Sequence, residues 1–139
     1  MNIEDIRQTL GIEGTPIEKA DGIWWHCPGL EVCRMAQVFV QMEARLITIT
    51  ALLAGEAECR LIYHWDCQGN LWHLSTLTQG KTIDSIAAVC PAADWIEREV
   101  HDLFAVVFNG RETPPLVLRA DDPSGFFLVN GHVRKEGKK

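Results

Sequence analysis

Within residues 94–110, DWIEREVHDLFAVVFNG, four groups able to move protons, Glu97, Glu99, His101 and Asp102, fall in positions 97–102 with Arg98 among them. Two carboxylates and an imidazole can act as general acid and base when they converge on one substrate atom. Helical spacing works against convergence here, because Glu97 and His101 share a face at i, i+4 while Glu99 points away. Arg98 and Asp102 also stand four apart and can pair, which contributes about 0.3–0.5 kcal/mol on an exposed helix. Glu99 has no obvious basic partner within a turn. Either Arg98 is shared between Glu99 and Asp102, or the cluster meets a basic partner chain.

Metal ligation is the other chemistry these residue types permit. The five cysteines, Cys27, Cys33, Cys59, Cys67 and Cys90, contain no C-x-x-C. His26 and Cys27 are adjacent and would point to opposite faces of a strand, which makes a poor chelate. Cys59 and Cys67 would share a strand face but lie roughly 26 Å apart at 3.3 Å per residue, and His64 falls on the opposite face. Reduced thiols in or beside the core are the expectation, with a metal site assembled across strands as the alternative. No G-x-G-x-x-G, phosphate-binding loop, G-x-S-x-G or H-E-x-x-H occurs, so the common routes to a nucleotide, acyl-transfer or zinc enzyme lack their signatures. No cofactor is expected.

The elements that must position these residues can be read from periodicity. Around the charged stretch, Ile96, Val100, Leu103 and Phe104 form one apolar stripe at helical period. Asp94 with Glu97 three positions later has capping-box spacing, worth about 1 kcal/mol. Asn109-Gly110 is a turn signal that closes a short strand at 106–108. Upstream, Ile3, Ile6 and Leu10 predict a first helix; a turn at Asp21-Gly22 precedes an apolar strand stopped by Pro28-Gly29. Val32, Met35, Ala36, Phe39 and Met42 predict a second helix. RLITITALL and AECRLIYHW read as strands, and DCQGN as the hairpin turn returning through LWHLSTLT. On that return Trp72, Leu74 and Thr76 share a largely core face, and Leu71, His73, Ser75 and Leu77 a mixed one. Residues 81–93 read as a link, and ETPPLVL as an extended edge or docking segment.

This order predicts an α+β fold: two layers, with a mixed or mostly antiparallel sheet of about 4–5 strands and helices packed on one face. The chain of 139 residues fits one domain, assigned to 1–130, with a short basic tail at 131–139. Net charge is −6 and uneven, with 7 basic and 15 acidic groups in residues 1–110 against 6 and 4 thereafter. An acidic body of this kind repels phosphate backbones, which argues against nucleic acid. The N-terminus lacks a secretion-signal layout, and the longest apolar run is far short of the roughly 20 residues of a membrane span. Cytoplasmic location follows as an expectation, with any membrane association running through other subunits.

Glu97-Arg98-Glu99-Val100-His101-Asp102-Leu103-Phe104, followed by Val106, Phe108 and Gly110, resembles the signature of the 30-kilodalton subunit family of respiratory NADH dehydrogenase. The lead-in PAADWIEREV, the strands ARLITITALLAGEAECRLIYHW and LWHLSTL, and the later LVLRADDPSGFFL are similar to the matching family segments, over roughly residues 30–128. The resemblance implies a scaffolding subunit without a redox centre, in complex I or in related membrane-bound [NiFe] hydrogenases and formate hydrogenlyase. It would pack against the large quinone-site or hydrogenase-like subunit, peripheral at the cytoplasmic face of the inner membrane. Glu97, Arg98, Glu99, Asp102, Phe108 and Gly110 fall on the signature positions, which the resemblance makes a buried or interfacial ion cluster that specifies one docking geometry. The chain departs from the family at His101 (usually aromatic), Ala105 (usually Gly), Arg111-Glu112 (usually His-Pro) and 128–131 (usually Leu-Arg-Lys-Asp). Those departures and the short chain tilt the reading toward a hydrogenase-type relative. The alternative is a stand-alone binding or metal-dependent protein on the same fold.

Overall fold

The computed structural model describes residues 2–55 and 57–126. A capping box does occur, but on the first helix: Asn2 Oδ1 accepts from the Asp5 amide at 2.9 Å and the Asp5 carboxylate accepts from the Asn2 amide at 3.2 Å. That pair starts α1 (Ile3–Leu10), which stops at the left-handed Gly11. There follow β1 (Ile17–Lys19), β2 (Gly22–His26), α2 (Val32–Gln41), β3 (Arg45–Ala54), β4 (Glu58–Cys67), β5 (Asn70–Leu77), β6 (Thr82–Asp84), α3 (Ala93–Phe104) and β7 (Val107–Asn109).

Five strands form one sheet in the order β1-β2-β5-β4-β3. All neighbours are antiparallel except β2 and β5, which run parallel. The fold is therefore α+β with a mixed, mostly antiparallel sheet, as the sequence pattern predicts. Gln68-Gly69 closes the β4–β5 hairpin with positive φ at both positions, 54° and 89°, the primed turn whose twist matches paired strands. Gly22 is required where β2 meets β5: its φ is 120°, and a Cβ there would collide with the Leu71 carbonyl.

Strand alternation sorts the residues into two faces. Cys59, Leu61, Tyr63 and Trp65 of β4, with Trp72 and Leu74 of β5, are buried in a core shared with Ile6, Met35, Phe39 and Val100 of the helices. Phe39 stacks on Trp65 at 5.1 Å and meets Trp72 edge-on at 6.0 Å, contacts worth about 0.5–1.5 kcal/mol each beyond their area. His64, His73 and Ser75 lie on the opposite face, as the alternation requires.

The expectations at 81–93 and 106–108 need correction. The link contains β6, which pairs in parallel with β7 as a separate two-stranded sheet, and β7 begins at Val107 rather than Val106. Three-residue strands are too short to carry a periodic pattern. All five cysteines are free. Burial pushes the Cys27 thiol up to about 12 and raises Cys33 and Cys90 above the ordinary value, so these thiols stay protonated at neutral pH.

Candidate functional site: the charged helix and the segment it holds

α3 begins at Ala93 after Ala92 in a helical conformation, and no side chain caps it. The expected Asp94–Glu97 capping box is not formed. Asp94 instead lies inside the first turn and pairs with Arg111, whose guanidinium also donates to the Asp94 carbonyl at 3.2 Å and to Glu97 Oε1 at 3.3 Å. The cap is absent because Glu97 is claimed from within. Its carboxylate accepts from Ser85 Oγ at 2.6 Å and from the Ile86 amide at 2.8 Å, fastening the stretch after β6 to the helix.

Glu97 is fully buried. Burial raises its carboxyl above the ordinary 4.5, and the bonds from Ser85, Ile86 and Arg111 offset only part of that. Phe108 is buried one strand away, and Gly110, at φ 93°, turns the chain so that Arg111 comes back beneath α3.

Arg98 and Asp102 do not pair with each other. The Arg98 guanidinium donates to the carbonyls of Pro114 and Pro115, both at 2.9 Å. Asp102 Oδ2 accepts from the amides of Leu116, Val117 and Leu118 at 2.9, 2.8 and 3.2 Å. Their i, i+4 spacing lays both side chains over one irregular segment. There they satisfy consecutive carbonyls and amides that no strand pairs, which is the accounting such backbone demands. The Asp102 carbonyl also accepts from the amides of Gly125 and Phe126 at 2.7 and 3.2 Å. Burial alone would raise Asp102, but the amides of Val117, Leu116 and Leu118 together hold its carboxyl below the ordinary 3.8.

The remaining charge of the motif points outward. Glu99 is exposed, and Trp95, four residues earlier on the same face, is 66% exposed. His101 is turned away from Glu97 chemistry, its Nδ1 donating to the Val106 carbonyl at 2.8 Å across the helix end. The four titratable groups thus do not converge. Glu97, Arg98, Glu99, His101 and Asp102 line neither of two surface concavities, of about 180 and 380 Å³. Among the described residues no group of three or more His, Cys, Asp or Glu could hold a metal ion.

Sequence reasoning missed Arg111 and Ser85. Arg111 carried a signal, since it directly follows the Asn109-Gly110 turn that reverses the chain toward the helix. Ser85 carried none.

The sequence model of the family described as "Respiratory-chain NADH dehydrogenase, 30 Kd subunit" matches residues 30–132. The chain belongs to this family. Among curated relatives, the corresponding NADH-quinone oxidoreductase subunit from Chloroherpeton thalassium is 29% identical over 87 residues, covering 59% of this chain and 36% of the relative. That from Hydrogenovibrio crunogenus is 52% identical over 64 residues, covering 40% and 27%. The chain thus spans about a third of the length of these relatives. Two solved structures share the fold. A chain of the membrane-bound sulfane sulfur reductase, an archaeal respiratory membrane complex, has a TM-score of 0.73 at 22% identity, covering 98% of this chain and 91% of its own. A trypsin-resistant fragment of Nqo5 has a TM-score of 0.62 at 20% identity, covering 79% and 94%.

Two departures from the family signature have a structural account in this member. Ala105, where the family usually has Gly, is the left-handed residue that ends α3, at φ 57°. Arg111, where the family usually has His, supplies the cation to Glu97 and Asp94. The departure at 128–131 and the tail at 131–139 lie outside the described residues.

Proposed function

We propose that the chain is a non-catalytic structural subunit of a membrane-associated electron-transfer complex. It packs against a large subunit of the quinone-site or hydrogenase-like kind, and holds no redox centre of its own. The observation that carries this reading is the division of labour within the motif. Glu97, Arg98 and Asp102 are engaged in holding the chain's own backbone, so they are unavailable to a substrate, while Trp95 and Glu99 stand on the outer face of the same helix. An exposed Trp is the residue type that anchors protein interfaces when it enters a partner's pocket. Family membership supports the assignment to a respiratory complex. The departures from the family signature at His101, Ala105 and Arg111-Glu112 support the hydrogenase-type side of the family.

No helix among the described residues is long and apolar enough to cross a membrane. In this reading attachment runs through partner subunits, at the cytoplasmic face. The test is isolation of the tagged protein from its native cells in mild detergent, with mass spectrometry of what accompanies it. Recovery of a large hydrogenase-like or quinone-site subunit with membrane subunits is expected. A protein that isolates alone, or with stoichiometric metal held by its thiols, would overturn the reading in favour of a stand-alone binding or metal-dependent protein.

A further inference from the structure

On the sheet face away from the helices, β2, β3, β4 and β5 bring together Trp24, Thr50, His64 and His73. The two imidazoles face each other with Nδ1 to Nδ1 at 2.6 Å. His64 Nε2 meets Thr50 Oγ1 at 2.8 Å, and His73 Nε2 meets the Asp21 carbonyl at 2.7 Å. Trp24 stacks on His73 at 4.2 Å, leaving that ring 6% exposed, and the Trp24 indole N–H donates to the Asp21 carboxylate at 2.8 Å.

A carbonyl can only accept, so His73 Nε2 carries a proton in every state of this arrangement. A neutral His73 then offers a lone pair at Nδ1, and the contact with His64 requires that His64 Nδ1 carry the proton. His64 Nε2 is left as an acceptor for the Thr50 hydroxyl. The neutral pair is therefore a chain of one direction, Thr50 to His64 to His73 to the Asp21 carbonyl, in which each ring has one fixed tautomer.

We propose that His64 and His73 form a one-proton site that latches the β1–β2 hairpin to the sheet. The first added proton goes to His64 Nε2, and the Thr50 hydroxyl turns to accept from it; every other contact is kept. A second proton has only His73 Nδ1 to occupy, which sets two N–H groups against each other and breaks the contact between the rings. The ring that then moves is the one that holds Asp21 and supports Trp24, so the hairpin loosens at the second step alone.

Other groups on this face set the background. Lys19 of β1 lies over the Trp24 ring at 5.2 Å, Asp21 begins the turn into β2, and His26 of β2 bonds Ser75 Oγ at 2.9 Å. Among the described residues Glu58, Arg60 and Asp66 of β4 and Arg45 of β3 are the other charged groups on this face by strand alternation, with Arg45 and Asp66 paired at 3.2 Å. Burial and then His73 hold His64 below its ordinary 6.5, against the pull of Asp21. A base whose folded pKa is depressed costs stability as pH falls below the unfolded value, so protonation of His64 destabilises the fold below the ordinary 6.5 and not above it.

The experiment is an imidazole carbon and nitrogen NMR titration of the full chain, in wild type, Thr50→Val and Thr50→Ser. Neutral His64 as the Nδ1-H tautomer with His73 as the Nε2-H tautomer is expected. Thr50→Val removes the acceptor of the charged form, so the first pKa should fall by about half a unit or more, roughly a threefold loss of proton affinity; Thr50→Ser should restore it. Both rings in the Nε2-H tautomer, or a first pKa unmoved in Thr50→Val with its fold intact by circular dichroism, would overturn the proposal.

Discussion

At the scale of single residues, Glu97 and Asp102 show how differently two buried carboxylates of one helix can be handled. Glu97 is stabilised by one cation and two donors, yet remains above its ordinary pKa because burial outweighs them. Glu97→Ala would leave Ser85, the Ile86 amide and Arg111 without their acceptor, at a cost of about 3–5 kcal/mol in urea unfolding. Arg111→Ala should remove part of the same interaction, so the double variant should cost less than the sum of the two by about 1 kcal/mol or more. Additivity within about 0.5 kcal/mol would contradict the pairing. Asp102 is governed by amides, and Asp102→Asn should cost about 1–3 kcal/mol at neutral pH. The sign of the pH dependence follows from its depressed folded pKa. The contribution is complete above the unfolded value of 3.8 and fades as pH falls through the lower folded value, so wild type and Asp102→Asn should converge in acid.

At the scale of elements, α3 ends on a residue that resists its own conformation. Ala105 sits at φ 57° and its amide bonds the His101 carbonyl at 2.9 Å, a left-handed cap that glycine adopts without steric cost. Ala105→Gly should therefore stabilise the fold by about 0.5–1 kcal/mol, read as a raised melting temperature; a lowered one would contradict this account of the helix end. β2 to β5 of the central sheet were legible in the sequence, whereas the edge strand β1, only three residues long, was not. Alternation over β4 and β5, the DCQGN turn between them and the apolar stripe of α2 each repeat a pattern several times. β6 and β7 were not fully legible, since three residues hold no repeat and their pairing joins segments separated by the whole of α3. The start of α3 misled for a different reason. Capping-box spacing is a local signal, and Glu97 was taken by the distant Ser85 and Ile86, which no local rule registers. In the same way Arg98 and Asp102 had pairing spacing, but the backbone of 114–118 needed both groups more than they needed each other.

At the scale of the whole molecule, one helix face builds the subunit and the other is left free. Glu97 fastens the stretch after β6, Arg111 ties the turn after β7, and Arg98 with Asp102 fixes 114–118. The signature thus acts first as the organiser of the chain around α3, which explains why it reads so clearly in sequence while offering no convergent reaction site. In the proposed function, docking falls to what α3 shows outward, Trp95 and Glu99. The most direct measurement is isolation of the tagged complex from native cells carrying wild type, Trp95→Ala with Glu99→Ala, or Asp102→Asn, alongside the melting temperature of each purified chain. The account predicts that the Trp95/Glu99 variant loses its partner subunits with its melting temperature unchanged, whereas Asp102→Asn lowers the melting temperature. Full recovery of the partners by a folded Trp95/Glu99 variant would contradict it.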